Sequence, residues 1–479
     1  MPNRTLHLNI GRDRGLRFSL LPFLATTLLV AGLPLVLDDP AAIRLAAPCE
    51  YAEGGSEEAE EGYAPSKAIQ VPRTIEAAFP RESYPPRSTA RLILWTPRRR
   101  LTMRVIQVGP ETIPTKNNAV INGVPIGDAR DLGVRRAGSR IRVSIGDWPS
   151  GLYAVELRAP HGWRGFAPFV VRPRRLGEHQ VAVVLPTQTW QAYNFHDDNR
   201  DGQPDTWYAG WRTNVARLGR PFMNRGVPTG FRHYDLHFLQ WLARKKHEVD
   251  VLTDADLDRT RSARRLAHAY ALIVFPGHHE YVTEREYDVV TRYRDLGGNL
   301  MFLSANNFYW KVVRRGNVMQ RVVRWREIGR PEAALIGVQY RANDDGRHRG
   351  AWIVRETPTT TWLFAGTGLR TGSALSNGGI EVDHTAPSSP RATHVVAEIP
   401  NIFRRGITAQ MTYYETRGGA RVFAAGAFTI AGSALQPPVS QVLERLWTRM
   451  STREEDRHAA PTAAPVASVR PSIACGAGS

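Results

Sequence analysis

Between residues 69 and 173, apolar and polar side chains alternate in short runs. Examples are 90–95 (ARLILW), 101–106 (LTMRVI), 140–145 (RIRVSI), 152–157 (LYAVEL) and 166–171 (FAPFVV). A period of two places alternate side chains on opposite faces of an extended strand. Turn signals at Asn122-Gly123 and Pro149-Ser150-Gly151 separate the runs. Short strands at this spacing predict a β-sandwich of roughly immunoglobulin type over residues 69–175.

The pattern changes from residue 180. Val181–Leu185 is continuously apolar, as in a strand buried on both faces. Helical periodicity follows at 234–244, strands at 248–252 and 271–275, a helix at 284–296 ended by Gly297-Gly298, and a strand at 299–303. Strand alternating with helix predicts an α/β domain over 176–450: a doubly wound, mostly parallel sheet with an amidotransferase- or flavodoxin-like layout. Residues 311–435 are less regular and rich in Trp and Gly, and return strands such as 421–428 to the same body. No internal repeat is present.

The termini read differently. Residues 18–37 carry no charge, follow Arg4, Arg12, Arg14 and Arg17, and close on Asp38-Asp39-Pro40. Residues 1–37 are therefore expected to be an export signal or N-terminal membrane anchor, leaving the bulk exported and extracytoplasmic, with membrane contact through that segment alone. Residues 38–68 form an acidic linker with six Glu within 50–62, and 451–479 a disordered tail.

The chain of 479 residues has a formal net charge of +18, and only Lys67, Lys116, Lys245, Lys246 and Lys311 are lysines. The arginines are scattered, and no zinc-finger or RNP-like pattern accompanies them, so a nucleic-acid partner is not expected. The 2 cysteines, Cys49 and Cys475, lie in the tails, which excludes a disulfide framework and a catalytic thiol in the folded body.

In an open parallel sheet, ligands sit beyond the carboxyl ends of the strands. Three segments just after apolar runs are dense in donors and acceptors: 187–196 (TQTWQAYNFH), 276–281 (PGHHEY) and 304–310 (SANNFYW). All three are expected to converge on one rim, with Gly277 permitting a tight turn that projects His278, His279 and Glu280.

These segments, together with 149–157 (PSGLYAVEL), 297–310 (GGNLMFLSANNFYW) and 414–419 (YETRGG), resemble the large (β) subunit of N,N-dimethylformamidase. The likeness is to its C-terminal part, over about residues 90–435. It implies amide hydrolysis at a mononuclear iron held by two tyrosines and a glutamate, with Tyr153, Tyr193 and Glu280 as ligands. It implies His278 and Asn306 as polar partners of water or substrate, and Glu415 as a candidate base. Ferric iron is a hard Lewis acid, and phenolate and carboxylate oxygens suit it. His279 stands where the family has Pro, the chain diverges after residue 310, and no sign of the small partner subunit is present. The family's oligomers imply self-association, and its chemistry a small amide substrate.

Asp197, Asn199, Asp201 and Asp205 follow the oxygen spacing of a calcium loop with Gly202 at the turn. Tyr208 replaces the twelfth-position Glu, so the segment is either a shortened calcium loop or a solvated acidic turn. His233 and His237, four apart on a helix, are half a zinc site or packing residues. The rival to the amidase is a non-catalytic exported protein binding carbohydrate or another polymer through Trp190, Trp207, Tyr208, Trp211, Tyr309 and Trp310.

Overall fold

The computed structural model describes residues 71–209, 213–344, 346–428 and 430–452. The apolar run at 18–37, the acidic linker, Cys49, Cys475, Trp211 and the C-terminal tail lie outside them. Among the described residues no helix is long and apolar enough to cross a membrane.

The first part is two sheets packed face to face. One has three strands, with Thr89–Trp95 between Glu76–Ala78 and Ser139–Ser144. The other has five, in the order Ser83–Tyr84, Trp163–Val171, Gly151–Ala159, Arg100–Gln107 and Val124–Gly133. Alternation explains the packing. Ala90, Leu92 and Leu94 point inward from one sheet, and Met103, Val105, Tyr153, Val155 and Leu157 from the other, into one shared core.

The second part is built on an eleven-stranded sheet. Asp250–Thr253, Val181–Leu185, Leu272–Phe275, Asn299–Phe302 and Arg421–Ala424 run parallel in that spatial order. The sheet then continues antiparallel through Ala409–Glu415, His394–Ile399, Arg349–Val354, Ala374–His384 and Gln339–Asn343, with Ala427–Phe428 paired to Ala374–His384. A separate four-stranded sheet orders Val215–Arg217, Val318–Arg324, Trp310–Arg315 and Tyr281–Thr283.

This corrects the expected fold class. The chain is mostly β, with large mixed and antiparallel sheets, and is not a doubly wound parallel α/β layout. The strand–helix alternation between 181 and 303 does form parallel strands. Beyond residue 303, antiparallel neighbours need only short turns between strands. The chain therefore adds strand after strand without the intervening helices that parallel crossovers require.

Helices cover both faces of the parallel strands. Phe238 and Leu242 of His237–Lys245 pack with Val183 and Val274 on one face. Leu257, Leu266 and Val290 pack with Val184 and Ile273 on the other. The helix Glu284–Asp295 starts at a capping box in which Thr283 accepts from Glu286 N and the Glu286 carboxylate returns to Thr283 N. It buries Tyr287, Val290 and Tyr293 at helical spacing, and the chain leaves it through Gly297 at φ 90°.

Candidate functional site

The carboxyl ends of three parallel strands deliver the site. After Val181–Leu185 the chain enters the wholly buried helix Thr187–Ala192, which ends on Tyr193. After Leu272–Phe275 it passes Gly277 into His278, His279 and Glu280. After Asn299–Phe302 it reaches Ser304–Asn307. Main-chain bonds lock these loops together: Phe308 N donates to His279 O at 2.7 Å and Tyr309 N to Glu280 O at 3.0 Å. His279 N donates to the Asn307 side-chain oxygen at 3.1 Å. Gly277 is required by close approach, because a Cβ there would lie 2.2 Å from Asp235 Oδ1 and 3.0 Å from Pro186 Cγ.

At the centre stand one carboxylate and three phenols, all buried. The Tyr193 hydroxyl donates to Glu280 Oε2 at 2.7 Å. The Tyr208 hydroxyl lies 2.7 Å from the Tyr193 oxygen and 3.1 Å from Glu280 Oε2, and is hydrogen-bonded to the Tyr281 hydroxyl. The Tyr193 and Tyr208 rings stack at 4.3 Å, and Trp207 Nε1 donates to the Tyr281 oxygen at 3.1 Å. Opposite, His278 Nε2 is 3.2 Å from Glu280 Oε2 and 4.0 Å from Glu381 Oε2, while its Nδ1 is 3.2 Å from Ala305 O. The four-stranded sheet closes this cluster, with Val312 and Met319 packed on its aromatic rings.

Burial, reinforced by the Glu280 charge, pushes the Tyr208 and Tyr281 phenols well above their ordinary value. So raised, the two phenols hold their protons at neutral pH and share hydrogen bonds. Asn306 adopts a left-handed backbone at φ 51°, and its N–H donates to both Asp383 oxygens, at 2.9 and 3.1 Å. Its Oδ1 is buried with no hydrogen-bond partner among the described residues. Burial raises the Asp383 carboxyl to about 7.

Other candidates fall elsewhere. Tyr153 lies in the sandwich core, stacked on Trp148 and Phe169, and donates to Pro149 O at 2.9 Å. No described contact joins it to Tyr193 or Glu280. Glu415 pairs with Arg421, at the opposite end of the strand from Ala424, which adjoins Phe302. There it accepts from Tyr413 and from Arg449 of the terminal helix Pro437–Met450, away from the carboxyl edge. Asp197 accepts from the amides of Arg200, Asp201 and Gly202, Asn199 from Asp201 N, Asp201 from Gln203 N and Asp205 from Asp198 N. These side chains hold the loop's own turn. His237 Nδ1 contacts Gly432 O, and burial lowers His233 to about 3. Trp190, Trp207 and Tyr208 are buried, while half-buried Trp310 lies under Arg321 and Arg324.

Sequence reasoning had placed Tyr208 in an aromatic rim and passed over Tyr281, Glu381 and Asp383. Tyr281 adjoins Glu280, and Tyr208 follows Tyr193 by 15 residues, so proximity to named ligands was the available signal. Glu381 and Asp383 come from the antiparallel strand Ala374–His384, which no sequence period marked.

The fold and site define a β-rich body whose parallel strands carry a buried, hard-oxygen donor cluster. The chain belongs to the N,N-dimethylformamidase beta subunit-like family, whose C-terminal profile matches residues 139–437. N,N-dimethylformamidase beta subunits from an Alcaligenes species and from Paracoccus aminophilus are each 30% identical over 179 residues, 37% of this chain and 22% of theirs. The match thus spans about a fifth of those relatives' length. Among solved structures, the mmIFT52 N-terminal domain aligns over 45% of this chain and 90% of its own at 11% identity, with a TM-score of 0.29.

Proposed function

We propose that this chain hydrolyses the C–N bond of a small amide at a mononuclear iron site held by Tyr193, Tyr208 and Glu280. The observation that carries the reading is the convergence of two stacked phenols on one buried carboxylate, 2.7 and 3.1 Å from Glu280 Oε2. Such a donor set suits a hard trivalent cation, and the Tyr208 phenol, raised by burial, ionises only against a strong positive charge. A ferric ion held there would polarise an amide carbonyl and acidify water.

The protein's own groups supply the rest. His278 Nε2, between Glu280 and Glu381, is placed to take a proton from water and return it to the leaving amine. Asn306 Oδ1, an unpartnered buried acceptor, is available to orient water or the substrate N–H. The buried ring cluster excludes bulk water and restricts the substrate to small amides. Tyr153 and Glu415 have no part in this chemistry. The family's name and its relatives support the amide class, and the apolar run at 18–37 supports action beyond the membrane.

The test is elemental analysis of purified full-length protein, with visible absorption and turnover of N,N-dimethylformamide and related small N-alkyl amides. Stoichiometric iron, a tyrosinate absorption band and amine release are expected. Metal-free protein after growth and purification with iron present would remove the reading.

A further inference from the structure

Away from the phenol cluster, a cavity of about 380 Å³ opens between the segment 172–176, which leaves the sandwich, and the segment 256–265, which follows the edge strand Asp250–Thr253. Arg172, Arg174, Arg175, Arg259, Arg261 and Arg265 make up six of its twelve lining residues. The whole chain has 63 basic residues in 479. Scattered surface arginine does not produce that density in a concavity.

The carboxylates nearby are already committed. Asp256, the only acid in the lining, accepts from Arg259 at 2.6 Å, from the Ser83 hydroxyl at 2.9 Å and from Thr253 N at 3.0 Å, with Arg172 at 3.6 Å. Arg174 pairs with Asp147 at 3.0 Å, and Asp147 also serves Arg87. Among the described residues, the guanidinium groups of Arg175, Arg261 and Arg265 have no carboxylate partner, although the Arg175 backbone N–H donates to Glu178 Oε1 at 3.1 Å, and all three are exposed. Like charges gathered in one hollow repel, and a bound anion relieves that cost.

We propose that this hollow binds a small ligand carrying two or more phosphate or sulfate groups. Guanidinium forks match tetrahedral oxyanions bidentately, and several unpaired forks around one hollow suit more than one such group. The volume lies within the usual range for small-molecule sites. A neighbouring cavity of about 680 Å³ shares Thr260 and Arg261, but its lining mixes Arg285 and Arg292 with Glu284 and Asp288. Arginine outnumbers carboxylate there only three to two, against six to one in the first hollow, so the positive charge is densest in the first. That concentration favours a compact ligand over a polyanionic chain.

The experiment is calorimetric titration of the full-length protein with pyrophosphate and, separately, with inorganic sulfate, at about 0.1 M salt to screen loose association. Saturable one-site binding is expected, and R261Q/R265Q should weaken it at least about tenfold while leaving the melting profile and amide turnover unchanged. Pyrophosphate, which carries two groups, should bind more tightly than sulfate, which carries one. Three results would overturn the proposal: no saturation by either anion, equal binding by the variant, or length-dependent binding of single-stranded DNA that pyrophosphate does not displace.

Discussion

The Tyr193 hydroxyl and the Glu280 carboxylate meet at 2.7 Å although 87 residues separate them. Tyr208 completes the group from a loop between them, whereas Tyr153 is held in the sandwich core by Trp148, Phe169 and Pro149 O. The two tyrosines therefore make opposite predictions. Tyr208→Phe should lower iron affinity at least about tenfold and weaken the tyrosinate band. Tyr153→Phe should leave iron content unchanged. Iron retained by Y208F and lost by Y153F would return the ligand role to the sandwich.

Asp383 touches the site through the Asn306 backbone N–H, which donates to both its oxygens. A non-glycine residue at φ 51° needs such a fixture to stay in place. Asp383→Ala should release Asn306 and cost about tenfold to a hundredfold in kcat, with iron content and the visible band intact. Simultaneous loss of iron would show that Asp383 supports the ligands rather than the substrate side.

The sequence made the rim legible because its chemistry is local. The runs 187–196, 276–281 and 304–310 each follow a buried strand, and chain continuity alone puts their polar residues at the same edge. Glu381 and Asp383 were not legible that way, since their partners His278 and Asn306 lie far off in the chain and only the antiparallel half of the sheet brings them near. Tyr153 shows the converse: its motif matches too, but an alternating strand in a sandwich gives every second side chain to the core, and its ring is fully buried there. The sandwich strands were readable from period two. Beyond residue 303 the return strand at 421–428 was readable, but the antiparallel strands before it were not, because only single helical turns, Ala333–Ile336 and Thr361–Phe364, lie between them.

Gly277 leaves room for Asp235, which lies under the loop carrying His278 and Glu280. Gly277→Ala would put a methyl 2.2 Å from Asp235 Oδ1, with Pro186 behind it. Overpacking of this kind costs about 1–3 kcal/mol. A lower urea midpoint is expected, together with reduced iron occupancy as the loop shifts. Wild-type stability and occupancy in G277A would mean that the loop yields freely, and the turn would lose its claim to position Glu280.

Asp235 also controls how stability responds to pH. Burial raises it from 3.8 to about 8, its Oδ2 accepts from Trp190 Nε1 at 3.1 Å, and its Oδ1 has no hydrogen-bond partner among the described residues. Burial raises Asp383 to about 7 and lifts Asp254 and Glu286 as well. A carboxyl whose folded value is raised holds its proton longer in the native state than in the unfolded one. Its relative contribution is greatest below 3.8 and is lost as pH climbs to the folded value, by about 1.4 kcal/mol per pH unit for each group. His233 and His279 oppose this at lower pH: burial drops both to about 3, so the unfolded chain binds their protons up to 6.5 and stability rises with pH over that interval. Above 6.5 the carboxyls are joined by His196, which burial lowers but Asp198 and Glu76 raise by more, and metal-free protein should lose stability between pH 6.5 and 8. Asp235→Asn should flatten that decline, whatever it does to the absolute midpoint, because Asn has no proton to release. An unchanged slope from urea midpoints across that range would show that Asp235 is already ionised in the folded protein.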